Sequence, residues 1–298
     1  MNKKLLPALI ALSMVASAQA EDVDVYGKMN LTLQNADEGD TSVFEVKSNA
    51  SRLGFKGTAE TDSNFTVVYQ YELGINPDDT TTWTQRNSFL GVKGDFGLVK
   101  AGLFDTAFKS SQGKVDVFGD LEGDIASAIT VNDNRVANTV AYTTPNMSGF
   151  SGTVQYVASE EDGVDGGISS AASYKDDALY LAVAYDNGIE EIDSSAVRLT
   201  GTYQLGNAQL GALYETVEPA EGDSLSGWLV SAKLAVSQWD IKAQYGASDI
   251  VEEAATTASV GADYNFTKKF QFISYITSEE SDEGIDDTYI GAGAILKF

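Results

Sequence analysis

Apolar and polar residues alternate along most of this chain with a period of two. In the stretch 23–36, Val23, Val25, Met29, Leu31 and Leu33 fall on one side, and Asp24, Lys28, Asn30, Thr32 and Gln34 on the other. Successive side chains of a β-strand point to opposite faces, so this stretch reads as a ribbon with one oily and one wet surface. The beat returns in Phe65, Val67, Tyr69, Tyr71, Leu73 and Ile75, set against Thr66, Gln70, Glu72 and Gly74. It predicts strands over 23–36, 42–58, 64–76, 82–94, 97–105, 135–145, 150–159 and 168–176. Further strands are predicted over 178–187, 194–205, 208–217, 225–237, 239–249, 256–266, 269–279 and 287–298. The count is about sixteen, even, and each segment is about as long as a tilted strand needs to cross a bilayer. The fold class expected is all-β, a transmembrane antiparallel barrel.

The connections differ in a regular way. Gly94-Asp95-Phe96-Gly97, Lys175-Asp176-Asp177 and Leu205-Gly206-Asn207 read as tight turns. The links at 36–40, 76–80, 160–166, 187–193, 218–223 and 279–287 read as longer and acidic. Short turns on one rim and long loops on the other suit an outer-membrane barrel, whereas a soluble β-sandwich gives no reason for the alternation. Tyr26, Phe65, Tyr142, Tyr156, Tyr185, Phe266, Phe270 and Tyr289 lie near strand ends, where aromatic girdles are expected.

One segment breaks the rhythm. Residues 106–134 are too many for a hairpin and lack alternation, yet carry Phe108, Val115, Val117, Phe118, Leu121, Ile125 and Ile129. Long connections are commonly functional, and these apolar residues call for a surface to pack on. A loop folded into the lumen, against the inner wall, satisfies both demands.

Composition narrows the chemistry. Residues 1–20 have a signal-peptide layout: Lys3 and Lys4, an apolar stretch, then Ala18-Gln19-Ala20 as the cleavage site. The chain has no Cys, so no disulfide framework is available. It has no His, which removes histidine-based catalysis and most transition-metal sites; no catalytic residue, metal or cofactor is expected. A net charge of −25 argues against nucleic acid as a partner. A mean hydropathy of −0.14 is too polar for a helical bundle but fits a barrel, where only alternate residues meet lipid.

At this point the chain resembles the general diffusion porins of Gram-negative outer membranes. The matching strings are Val25-Tyr26-Gly27-Lys28, Ser51-Arg52-Leu53-Gly54-Phe55-Lys56-Gly57, Phe89-Leu90-Gly91-Val92-Lys93-Gly94, Val140-Ala141-Tyr142 and the terminal Phe298. The resemblance implies a homotrimer of sixteen-stranded, water-filled barrels whose third external loop faces a basic cluster on the opposite wall. It implies Arg52, Arg86, Arg135 and Lys28 for the basic side. Arg52 shares its face with Gly54 and Lys56 against Leu53 and Phe55, Lys28 lies opposite Met29 and Leu31, and Arg135 lies with Ala137 and Thr139 against Val136 and Val140. Arg86 shares its face with Leu90 and Val92, which leaves a trimer seam open as its surroundings. The acidic side is expected from Asp116, Asp120, Glu122 and Asp124. The loop reads Val117-Phe118-Gly119-Asp120 where the family often has Pro-Glu-Phe-Gly-Gly, so the carboxylate that points across is left open. Phe298 resembles the signal read by the barrel-assembly machinery.

The function expected is passive diffusion of small hydrophilic solutes and ions across the outer membrane, with weak preference for cations. Opposed carboxylates and guanidiniums at a wet neck make a transverse field that is stronger near protein walls than in bulk water. Outer-membrane lipid and lipopolysaccharide are the expected surroundings. Acidic clusters such as Glu160-Glu161-Asp162 and Asp282-Glu283 offer divalent cations a bridge to lipopolysaccharide phosphates. The alternatives are a sugar- or anion-selective channel, for which Lys109 and Lys114 are thin support, an outer-membrane adhesin or enzyme, and a soluble lectin-like protein.

Overall fold

The structure, a computed structural model, describes residues 20–79, 83–251, 255–282 and 284–298. The leader expected at 1–20 lies outside the described residues, Ala20 apart. The first strand, β1 (Ala20–Glu38), leads to β2 in two pieces (Thr41–Ser48 and Arg52–Glu60). Next come β3 (Phe65–Ile75), β4 in two pieces (Trp83–Gln85 and Ser88–Gly94) and β5 (Gly97–Asp105). Two short helices follow, α1 (Ala107–Ser110) and α2 (Ile125–Ala128). The chain then runs through β6 (Arg135–Thr143), β7 (Phe150–Val157), β8 (Gly167–Lys175), β9 (Leu179–Asn187) and β10 (Ser195–Leu205). It ends with β11 (Ala208–Glu218), β12 (Leu225–Val236), β13 (Trp239–Ser248), β14 (Ala255–Asn265), β15 (Phe270–Glu280) and β16 (Asp286–Lys297).

Among the described residues, eighteen extended segments thus make sixteen strands, because two strands are each broken once. Every strand pairs antiparallel with its neighbours in sequence, and β16 closes the ring on β1 from Lys28↔Lys297 to Glu38↔Asp287. Closure leaves no open sheet edge among the described strands, as hydrocarbon requires.

The molecule is polar inside and apolar outside. Asn30, Thr32, Gln34, Gln155, Ser169, Glu215, Gln244 and Thr277 are buried, while Leu33, Val46, Leu90, Val140, Val183, Leu199, Val260 and Ile290 are exposed. Tyr142, Tyr156, Tyr185 and Phe266 face outward, as a girdle requires. Trp239, Tyr264, Phe266, Phe270 and Phe272 form one run of ring contacts on that surface, with centroids 4.7–5.5 Å apart. Tyr26 and Tyr289 do not belong to a girdle. Both point inward, and their hydroxyls donate to Glu72 at 2.9 Å and Glu38 at 3.0 Å.

Other expectations need correction. The link expected as a longer loop at 36–40 is a two-residue turn, with Gly39 at φ 55°. The uninterrupted strand expected at 42–58 is broken at 49–51. Three residues of β2 there face two of β1, since Leu31 pairs with Ser48 but Lys28 with Arg52. Ala50 takes the positive φ of this bulge, 50°. The same thing happens in β4: Leu73 pairs with Gln85 but Gln70 with Phe89, leaving one residue extra. A third extra residue sits in β6, where Asn138 has φ 55°. Bulges of this kind re-aim side chains.

Candidate functional site

The segment 106–134 is held against the inner wall by three apolar contacts. Phe108 packs with Ala184, Ala196, Val217 and Ile250. Val115, Ile125 and Ile129 pack with Leu213 and Leu229. Phe118 and Leu121 pack with Ile273, Tyr275 and Tyr289. The apolar residues singled out in the sequence therefore cover the wall from β9 round to β16.

Polar bonds follow the same track. Gln155 accepts from Ala107 N at 3.0 Å and Ser169 from Phe108 N at 3.0 Å. Gln244 accepts from Val117 N at 3.0 Å and donates to the Gly123 carbonyl at 2.8 Å. Ser248 donates to the Ile129 carbonyl at 2.6 Å. The root of the segment is tied by fully buried charges: Arg198 lies 2.7 Å from both Asp133 and Glu215. Glu215 also accepts from Thr130 at 2.5 Å and Asn132 at 3.1 Å, and the guanidinium lies 4.3 Å from the Phe108 ring centroid. A buried ion pair is tolerable only when its remaining lone pairs and protons are satisfied in this way.

The four loop carboxylates divide into two kinds. Asp120 is ion-paired with Lys28 and Glu122 with Lys47, and Glu122 also accepts a hydrogen bond from Gln34 Nε2 at 2.5 Å. Asp116 and Asp124 instead build the loop. Asp116 accepts from Phe118 N at 2.8 Å and Ile125 N at 3.2 Å; Asp124 caps α2 through Ala126 N at 2.8 Å and accepts from Asp120 N at 2.6 Å. Asp116 sits deep enough that burial, helped by the Asp124 charge, pushes its carboxyl up to about 7.

The basic residues gather on the wall that the loop leaves uncovered. Arg86 Nε lies 2.8 Å from Glu72 Oε1, and Arg52 Nε lies 3.9 Å from Glu72 Oε2. Arg135 Nη2 lies 2.9 Å from Asp105 Oδ1, and its Nε donates to Asn87 at 2.8 Å. Lys28 stands apart, bound to the loop tip. Arg86 faces inward, not a seam: the extra residue in β4 turns both it and Asn87 toward the lumen. The bulges in β2, β4 and β6 each lie beside one of these three arginines.

A family model described as Gram-negative porin matches residues 6–283. The chain belongs to the Gram-negative porin family. Among its relatives, the major outer membrane protein P.IB of Neisseria gonorrhoeae is 30% identical over 162 residues, covering 49% of this chain and 46% of that protein. P.IB of Neisseria lactamica is 32% identical over 165 residues, covering 51% and 48%. The chain spans about half the length of the curated relatives it matches. The anion-selective porin from Comamonas acidovorans has a similar fold, with a TM-score of 0.80 at 18% identity over 93% of this chain and 99% of that one. The OmpF–daunomycin complex of Salmonella typhi gives 0.72 at 16% identity over 93% and 97%. At such identities the likeness shows the fold, and family membership places this porin barrel in a Gram-negative outer membrane.

Sequence reasoning on this porin missed several inward charges, Lys47, Asp105, Asp133, Arg198, Glu215 and the Lys242–Asp263 pair at 3.0 Å, and placed Glu72 on the wet face without giving it a partner. A signal was present for Lys47. The apolar phase of β2 runs on even positions at Phe44 and Val46 and on odd ones at Leu53 and Phe55, so the inward phase switches between them.

Proposed function

We propose that the barrel is a water-filled channel through which small hydrophilic solutes and ions diffuse passively. The observation that carries this reading is the ring's polar inner wall, with partly solvated arginines opposite an inward-packed acidic loop. In this reading the neck lies between the loop tip, with Asp120 and Glu122, and the wall of Arg52, Arg86, Arg135, Glu72 and Asp105. Lys28 and Lys47 hold the tip in place, while Asp116 and Asp124 keep its shape. Fixed charges of both signs keep such a neck wet and orient dipolar solutes, where an apolar one gates by dewetting.

The net charge of −25 enriches cations at the mouths, so the channel carries weak cation preference, read as the sign of the reversal potential in a salt gradient. The functional unit is a homotrimer surrounded by outer-membrane lipid and lipopolysaccharide. Phe298, whose N–H and carbonyl exchange bonds with Gly27 at 3.1 and 3.0 Å, is what the barrel-assembly machinery reads. Conductance in planar bilayers with neutral solutes of rising size tests the channel. Stepwise currents with a sharp size limit are expected; an inserted barrel that passes no ions overturns the reading.

A further inference from the structure

We propose that a cavity between α1 and the wall of β5–β9 binds a small oxyanion, of the size of inorganic phosphate or a short-chain carboxylate. The cavity holds about 160 Å³ and is lined by Lys100, Gln155, Thr143, Thr153, Ser151 and Ser173, among others. That is room for about five waters, enough for phosphate or acetate but not for a nucleotide.

Lys100 supplies the charge. Its Nζ sits 3.8 Å from the Phe104 ring centroid and 4.8 Å from that of Phe89, and makes no hydrogen bond or ion pair among the described residues. Two ring faces stabilise a cation without neutralising it, so its donors stay available. Gln155 supplies the second donor. Its side chain is 1% exposed, and its Oε1 is fixed by the bond from Ala107 N. The Nε2 is thereby turned away from the helix and left with no partner, a costly state for a buried amide unless something fills the cavity.

The wall adds hydroxyls in two pairs, Thr143 with Thr153 at 2.9 Å and Ser151 with Ser173 at 3.0 Å. Within each pair one hydroxyl donates to the other, which leaves one hydrogen per pair for a ligand. Asp105 also lines the cavity and its charge acts on Lys100, but Arg135 lies 2.9 Å from its Oδ1 and Asn87 donates to its Oδ2 at 3.0 Å, so one carboxylate stands against two cations. The uncompensated charge is therefore positive. A lysine, a lone amide donor and spare hydroxyl protons match an oxyanion better than a neutral sugar, which needs acceptors as well.

This inference rests on the channel reading, since a solute reaches the cavity from the lumen. Equilibrium dialysis of radiolabelled inorganic phosphate against the detergent-purified, full-length protein tests it directly. Saturable binding near one phosphate per chain is expected. Lys100→Met and Gln155→Glu should each weaken it by about tenfold or more, and Lys100→Arg should retain it. Absence of saturable binding, or binding unchanged in both weakening variants, overturns the site. Should Lys100→Met fail to fold, the Gln155→Glu result decides, because glutamate preserves the bond from Ala107. Bilayer recordings separate the two readings. Loss of all chloride current refutes the channel while dialysis still judges the site, and saturating phosphate block that Lys100→Met abolishes supports both.

Discussion

On the β2–β6 side of the lumen, Arg52, Arg86 and Arg135 meet Glu72 and Asp105 with 27%, 17% and 19% of each arginine side chain exposed. On the β10–β11 side, Arg198 meets Asp133 and Glu215 with none of it exposed. The residue types are the same on both walls. What differs is the loop, which lies over one and not the other. Where water remains, a pair contributes little to stability and its field extends into the lumen; where water is expelled, the pair is a structural tie. Burial, not residue type, assigns the role.

The sharpest way to break this comparison is to remove one arginine from each wall. Arg198→Met strands two buried carboxylates, and a cost of about 3–5 kcal/mol is expected. Arg52→Ala removes a 3.9 Å contact on a part-solvated wall, and about 0–1 kcal/mol is expected. The temperature at which folded barrel converts to the unfolded band in detergent gels reads both. Equal shifts would mean that loop coverage does not separate the two walls. Phe118→Ala comes next: the ring is buried against Ile273 and Tyr275 and lies 4.7 Å below Lys242, and about 3–5 kcal/mol of packing is lost. Because that loss falls on the loop tip, it should appear as noisier and larger single-channel currents.

The ring, the number and order of its strands and the inward loop were legible because they rest on period-two alternation and on one place where it stops. Arg52 and Lys28 were legible because each sits within an unbroken alternating run. For Arg86 the resemblance gave the basic side while counting left a seam open, because face assignment by counting fails across an inserted residue, and the extra residue in β4 turns both Arg86 and Asn87 inward. The loop acids resisted for a different reason. Asp116, Asp120, Glu122 and Asp124 look alike in sequence, yet two accept backbone N–H groups within the loop and two reach lysines on β1 and β2, contacts more than seventy residues away in the chain. Glu72 reads as one more wet-face residue until Arg86, Arg52 and Tyr26 converge on it.

Selectivity tests the solvated wall itself. Glu72→Gln keeps the shape but leaves Arg52 and Arg86 without their carboxylate, so the reversal potential should move toward anions. Arg86→Ala should move it the other way, as Glu72 loses its 2.8 Å partner. The matching change on the covered wall, Glu215→Gln, should affect stability far more than selectivity. Equal selectivity shifts from Glu72→Gln and Glu215→Gln would show that solutes sense both walls.

A last test concerns the loop's own acids, which join the two walls. Asp116 is pushed up to about 7 from an ordinary value of 3.8, first by burial and then by the Asp124 charge, against the pull of the Phe118 and Ile125 N–H groups. A carboxyl whose folded value is raised favours the folded loop most when protonated. Its contribution is complete below about pH 3.8 and is lost as pH climbs through about 7. The loop tip should therefore be held more firmly at pH 5 than at pH 8, with single-channel current noise rising across that interval. Asp116→Asn carries no charge to bury and should flatten the dependence. A profile that the substitution leaves unchanged would locate the titration elsewhere and free Asp116 of any part in steadying the loop.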